Sequence, residues 1–68
     1  MELSKSGYAV VTRMLAESTS LKYGYKSIIE GCFDYCIRRY GMEVPPEPKD
    51  VIVSQVMEIL KSNEAAHR

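Results

Sequence analysis

Tryptophan is absent from this sequence, phenylalanine and histidine each occur once, and nine basic residues balance nine acidic ones. A net charge of zero removes the simplest electrostatic case for binding nucleic acid or an anionic membrane surface. Long hydrophobic runs are also missing, since no stretch approaches the roughly 18 apolar residues of a membrane span, and the N-terminus has no signal-peptide core. Two cysteines without an export signal are typical of a reducing cytosol. We therefore expect a cytoplasmic protein without membrane contacts.

Side chains that carry catalysis are equally scarce. His67 is the only histidine, and a position beside the chain end does not hold a base within hydrogen-bond reach of a substrate. Glycine-rich phosphate loops, nucleophile elbows and metalloprotease helices are missing from the sequence. Glu30 and Asp34 lie four residues apart, but Arg38 follows Asp34 at the spacing of a helical ion pair, which favours a solvated polar strip. We predict that the protein is not an enzyme and needs no cofactor.

Cys32 and Cys36 are four residues apart and share one face of a predicted helix. Side chains at this spacing have Cβ atoms about 5–6 Å apart, whereas a disulfide needs about 3.5–4.5 Å. A zinc site would need further ligands, such as four thiolates shared across a dimer, for which the sequence offers no support. The pair is interpreted as buried structural thiols, and no metal site is predicted.

Hydrophobic residues, by contrast, are plentiful for so short a chain. They make up 46% of the 68 residues, and the chain includes five tyrosines and four methionines. A domain of this length has a radius of gyration of roughly 11 Å and buries only about 60% of the surface that its unfolded chain exposes. The surplus predicts a surface that docks on something else, and a homodimer is the favoured form of that association.

Apolar spacing predicts an all-α fold with three helices, near residues 5–18, 26–40 and 48–63. The whole chain, residues 1–68, is expected to form one domain, with frayed ends at residues 1–4 and 64–68. Ser4 or Ser6 is placed to cap the first helix. The predicted apolar face of that helix consists of Tyr8, Val10, Val11, Met14 and Leu15. The third helix has the clearest face, made of Ile52, Val53, Val56, Met57, Ile59 and Leu60.

The second helix is predicted to be central, because its apolar residues cover more than half of its circumference and need cover on two sides. These residues are Tyr25, Ile28, Ile29, Cys32, Phe33, Tyr35, Cys36, Ile37 and Tyr40. Ser27 and Glu30 have the spacing of a capping box at its start, and Gly41 suits the positive φ of a helix C-terminus. Three prolines follow, which predicts an extended link with Pro48 as the first residue of the third helix.

Tyr23 and Tyr25 flank a glycine between Lys22 and Lys26, in the sequence LKYGYK. Aromatic rings beside cations can stack on nucleic-acid bases, but tyrosines are also what protein-binding surfaces favour. A structural interpretation, in which the rings brace the first loop against the core, carries as much weight. Of the two functional interpretations, protein binding is preferred. The predicted partner-binding residues are Lys22, Tyr23, Tyr25, Lys26, Tyr35, Arg38 and Arg39.

The surplus of apolar and aromatic side chains, without catalytic groups, predicts a small regulator or adaptor that binds another protein and blocks or bridges it. Phage- or plasmid-encoded regulators are one class of this kind. The alternative is a dimeric DNA-binding regulator, because a strand at SLKYGY followed by two helices has the outline of a ribbon-helix-helix protein. A preceding helix, the proline-rich link and the zero net charge count against it. Nucleic acid is therefore the second choice of partner.

Overall fold

Three α-helices make up the computed structural model: α1 (Lys5–Glu17), α2 (Lys26–Arg39) and α3 (Lys49–Ala66). It describes residues 2–17 and 26–66, with side chains as far as Asn63. Within those ranges there is no strand, and the predicted all-α, three-helix fold is confirmed. Each predicted helix end lies within one turn of the observed one, and the radius of gyration is 11.4 Å. No helix in the described part of the chain is long and apolar enough to cross a bilayer.

The hydrophobic core takes three residues from each helix. These residues are Val10, Val11 and Met14 of α1, Ile29, Phe33 and Cys36 of α2, and Ile52, Val53 and Val56 of α3. Their spacings place them on one face of each helix, which confirms the helical period read from the sequence. Each helix packs against both of the others to the same extent, so the prediction that α2 is central is wrong.

Two predicted apolar faces are wider than the observed ones. Tyr8 is 55% exposed, and Gly7 occupies the buried position at the start of α1. On α2, Ile28 and Tyr35 are 46% and 51% exposed. They lie two turns apart on one side of the helix, which the packing of α1 and α3 leaves uncovered. Two neighbouring helices are too few to cover the whole apolar surface of α2.

The start of α1 is held by a carboxylate from a distant part of the chain. Ser4 caps the helix as predicted, because its Oγ accepts a hydrogen bond of 3.0 Å from the amide of Gly7. The amide and the hydroxyl of Ser4 in turn donate to the two carboxylate oxygens of Glu47, at 2.7 and 2.9 Å. Glu47 therefore does what the glutamate of a capping box does, but from the link before α3. We call Ser4, Gly7 and Glu47 the Glu47 clasp.

Glycine is required at position 7 by this arrangement. A Cβ built on Gly7 would lie 2.8 Å from Oε1 of Glu47 and 3.1 Å from Oγ of Ser4, both closer than van der Waals contact. The carboxylate would have to shift, which would disturb its bonds to Ser4. Gly31, in the middle of α2, is the opposite case, because a Cβ there meets nothing within 4 Å.

The C-terminus of α2 ends as predicted. Gly41 has a φ of 58°, in the left-handed region that glycine adopts without strain. The amide of Met42 then donates to the carbonyl of Ile37 at 3.0 Å. This bond spans five residues and is the 6→1 hydrogen bond of a Schellman motif. The side chains of Met42 and Ile37 both pack against the core. This turn directs the chain into the proline-rich link.

Three predictions about individual residues are wrong. Because α2 begins at Lys26, Ser27 lies inside its first turn and is not the N-cap. Pro48 immediately precedes α3, which begins at Lys49. Its carbonyl accepts hydrogen bonds from the amides of Val51 and Ile52. Asp34 does not pair with Arg38, because Lys49 binds its carboxylate at 2.7 Å and joins α3 to α2. A tertiary partner has replaced the neighbour on the same helix.

Several expectations fall on residues that the structure does not describe. The strand required by the DNA-binding alternative belongs to residues 18–25, which lie outside the described ranges, as does His67. Fraying of the chain ends stays a prediction. At those ends, the Glu47 clasp holds Ser4, and α3 continues to Ala66.

Alanine substitution at the two glycines is predicted to have opposite effects on stability. Gly31→Ala should stabilise the fold by about 0.5–1 kcal/mol, because alanine is the better helix former and the site is open. Gly7→Ala should destabilise it, because the new methyl group displaces the carboxylate of Glu47. Thermal or urea unfolding of both variants measures the difference. With Glu47→Ala already present, Gly7→Ala should become neutral or stabilising. Equal stabilisation by both substitutions in the wild-type background would show that the clasp does not contribute.

The Glu47 clasp also predicts a pH dependence. The amide and hydroxyl of Ser4 lower the pKa of Glu47 below its usual value of 4.5. The unfolded chain then binds the proton more readily, so the stabilisation is complete above about pH 4.5 and is lost as the pH falls through the lowered pKa. The melting temperature of the wild type should exceed that of Glu47→Gln near neutral pH, and the gap should narrow in acid. A gap that is independent of pH would contradict the role of the charge.

Candidate protein-binding surface

The predicted partner-binding residues that the structure describes lie at the two ends of α2. Lys26 is exposed at the first residue of α2, whereas Arg38 and Arg39 are exposed at its end, about 18 Å further along the axis. Tyr35 is exposed beside the two arginines. Lys22, Tyr23 and Tyr25 lie outside the described residues. Among the described members of the set, the structure brings together Tyr35, Arg38 and Arg39.

Tyr35, Arg38 and Arg39 line an open depression on the outer side of α2, together with Gly31. Their spacing of three, four and seven residues puts all four on one helical face. Gly31 has no side chain, so the floor of the depression is backbone. Ile28, one turn before Gly31, continues this face with a partly exposed aliphatic side chain.

Tyr40 extends this surface from α2 to α1. Its hydroxyl donates a hydrogen bond to Oε1 of Glu17, at the end of α1. The guanidinium carbon of Arg13 lies 4.3 Å from the centre of the Tyr40 ring, and that of Arg39 lies 5.7 Å from it, both within cation–π range. The bond to Glu17 raises the pKa of Tyr40, so the phenol stays protonated near neutral pH. We call Ile28, Tyr35, Tyr40, Arg13, Arg38 and Arg39 the tyrosine–arginine face.

Three of the four arginines in the chain belong to this face. The ion pair found in the described part of the chain joins Lys49 to Asp34, so none of these guanidinium groups is paired with a carboxylate there. Arg38 and Arg39 also suit the negative end of the α2 dipole, which accounts for part of their presence. Arg13 lies in the interior of α1 and has no such role.

A second open depression borders the face on the side of α1. Its lining consists of Lys5, Tyr8, Ala9, Thr12, Arg13, Ala16 and Met42. Arg13 belongs to both surfaces, which makes them neighbours. Tyr8 is the most exposed aromatic ring among the described residues. The exposed apolar surface thus runs across both helices.

Arg13, Tyr40 and Ile28 were missed as site residues by sequence reasoning. Ile28 was readable, because it lies seven residues before Tyr35 and so shares its face. Arg13 was not, because only the packing of α1 against α2 brings it over the Tyr40 ring. Tyr40 had been assigned to the apolar face of α2 without a partner.

The two thiols contact each other but are not bonded. Their Sγ atoms are 3.9 Å apart, far longer than the roughly 2.05 Å of a disulfide. Cys36 is fully buried, and desolvation, with a smaller contribution from Cys32, raises the pKa of Cys36 to about 12. Burial also raises the pKa of the half-buried Cys32. Because both pKa values are raised, both thiols are protonated near neutral pH. No group of three or more potential metal ligands occurs among the described residues.

Comparison of the chain with protein-family models, with curated proteins and with solved structures finds no match. The interpretation of the tyrosine–arginine face therefore rests on the residues of this chain alone.

The raised pKa values predict slow, ordered alkylation of the thiols. At a given pH, a thiol with a pKa of about 12 has about 1000-fold less thiolate than one at the usual 9.0, and the thiolate is the nucleophile. Iodoacetamide should modify Cys32 first and Cys36 only when the fold opens, as followed by peptide mass spectrometry. The same chain unfolded in guanidinium is the control, and its two cysteines should react alike. Rapid alkylation of Cys36 in the folded protein would contradict its burial.

Proposed function

We propose that this protein is a non-enzymatic regulator or adaptor that docks on another protein through its tyrosine–arginine face. The observation that supports the proposal is the outer side of α2, where Ile28 and Tyr35 are about half exposed next to Arg38 and Arg39. In this proposal the face covers a groove or segment of the partner and so blocks or bridges it.

The composition of the face agrees with that of protein interfaces. Tyrosine and arginine are enriched at interface hot spots, whereas lysine, glutamate and aspartate are depleted there. Tyr40 is held by Glu17 and Arg13 before any partner arrives, so its ring loses little conformational entropy on binding. Tyr35 has no such contact among the described residues and presents a free ring.

Self-association is the second part of the proposal, with a homodimer as its favoured form. Tyr8, at 55% exposed, adds to the apolar surface that the folded chain leaves uncovered. A second copy meets no net electrostatic repulsion, because the chain is neutral overall. A cytoplasmic location also belongs to the proposal, supported by the two free cysteines.

The proposal predicts that Tyr35→Ala abolishes partner binding without unfolding the protein, because the side chain is exposed and outside the core. Immobilised wild-type protein and the variant are each exposed to extract, and the retained proteins are compared by mass spectrometry. Val44→Ala is the matched control, since it removes an even more exposed apolar side chain outside the face. We expect at least one protein to be retained by the wild type and by the control but not by Tyr35→Ala.

Light scattering of the same samples over a dilution series tests self-association. A dimer should have about twice the 7.7 kDa of the single chain and should dissociate on dilution. A mass of one chain at every concentration would exclude the homodimer and leave only a different protein as the partner.

In the retention experiment, the wild type, Tyr35→Ala and Val44→Ala could all retain the same proteins. That result would exclude the tyrosine–arginine face as the binding surface.

A further inference from the structure

The chemistry of the partner can be inferred from the charges on the face, and this inference rests on the proposed function. We propose that the tyrosine–arginine face binds an acidic segment of another protein. Aspartate or glutamate side chains of that segment accept hydrogen bonds from Arg13, Arg38 and Arg39. An apolar side chain of the same segment lies in the depression over Gly31, between Ile28 and Tyr35.

The cations on the face are all arginines. The lysines at positions 26, 49 and 61 lie elsewhere, at the start of α2 and on α3. A guanidinium group is planar and donates two parallel hydrogen bonds to a carboxylate, which the ammonium group of lysine does not. The guanidinium carbons of Arg13 and Arg39 lie 4.3 and 5.7 Å from the centre of the Tyr40 ring, so two of the three guanidinium groups gather at one aromatic ring. The face is thus arranged for paired recognition of carboxylates.

Carboxylates near the face are already engaged. Glu17 accepts the hydrogen bond of the Tyr40 hydroxyl, and Asp34 is bound by Lys49. Within the described residues, the guanidinium groups are therefore left without an intramolecular carboxylate partner. A partner that supplies carboxylates would provide charge complementarity to these guanidinium groups.

The depression beside Tyr35 suits an apolar side chain. It is lined by Gly31, Tyr35, Arg38 and Arg39, and a Cβ built on Gly31 would meet nothing within 4 Å, so the space above this residue is open. Ile28 continues the apolar surface along the helix. An acidic segment with one aliphatic or aromatic anchor matches both the charge and the shape of the face.

A nucleic-acid partner fits these observations less well. Base stacking needs open aromatic faces, and the guanidinium carbon of Arg13 already lies 4.3 Å from the centre of the Tyr40 ring, which leaves Tyr35 as the open ring of the face. The chain as a whole also carries no net charge to attract a polyanion.

Selection from a displayed library of random peptides tests this inference. The full chain is immobilised, and the peptides it retains at low salt are sequenced. We expect enrichment of aspartate and glutamate around one aliphatic or aromatic residue. The synthesised peptides should bind more weakly as salt rises, because screening reduces the attraction between charges. Arg38→Gln with Arg39→Gln should weaken binding by about tenfold or more, as expected for losing charge-assisted hydrogen bonds.

Lys61→Gln is the matched control for either single arginine substitution, because it removes one positive charge from an exposed residue of α3 outside the face. It should leave binding within about twofold of the wild type. Arg39→Lys keeps the charge and loses the planar donor, so an intermediate affinity is expected. Circular dichroism of each variant shows whether the helices are intact, and comparisons are made only among folded variants.

Each other outcome overturns the inference in a recognisable way. Selected peptides could be neutral or basic, with a binding affinity that depends on Tyr35 and not on the arginines. This result would exclude an acidic partner but would agree with the proposed function. Peptides that bind equally to all variants, or no retained peptide at all, would exclude both. Competition of labelled duplex DNA with the acidic peptides would identify the occupant as nucleic acid. The double variant Arg38→Gln with Arg39→Gln could also abolish dimerisation of the protein. If the peptides do not disturb the wild-type dimer, that result would identify a second copy of the chain as the occupant of the face.

Discussion

A core of three side chains from each helix is the constraint on which the rest of this structure depends. Each helix meets two neighbours, and two neighbours cover about half of a helix surface. Ile29, Phe33 and Cys36 occupy the covered half of α2. The apolar residues on its other half, Ile28 and Tyr35, therefore remain outside, whatever their hydrophobicity. The exposed surface of this protein is a consequence of its size.

Tertiary polar contacts hold the helices at the ends of the bundle, where the small core does not reach. The Glu47 clasp joins the start of α1 to the proline-rich link, and Lys49 joins the start of α3 to α2 through Asp34. Tyr40 joins the end of α2 to Glu17 at the end of α1. Every helix is thus tied to another by at least one polar contact between residues distant in sequence.

The last of these contacts also builds the tyrosine–arginine face. Arg13 and Arg39 come from different helices and meet at the ring of Tyr40, while Tyr35 and Arg38 lie beside them on α2. Asp34, four residues before Arg38 on the same helix, pairs with Lys49 instead. The same packing that completes the fold therefore leaves a group of arginines without carboxylates among the described residues, next to exposed tyrosines.

The sequence by itself determined the three helices, the cap at Ser4 and the turn at Gly41, because periodicity and capping depend on residues within a few positions of each other. It also contained half of the candidate face, in the spacing of Tyr35 and the two following arginines. Tertiary structure decided the rest. Three features depend on segments that are far apart in the chain. They are the burial of Gly7 in place of Tyr8, the contact of Glu47 with Ser4, and the position of Arg13 over the Tyr40 ring. Local pattern carries no information about which distant side chain will arrive, since helix packing sets those distances.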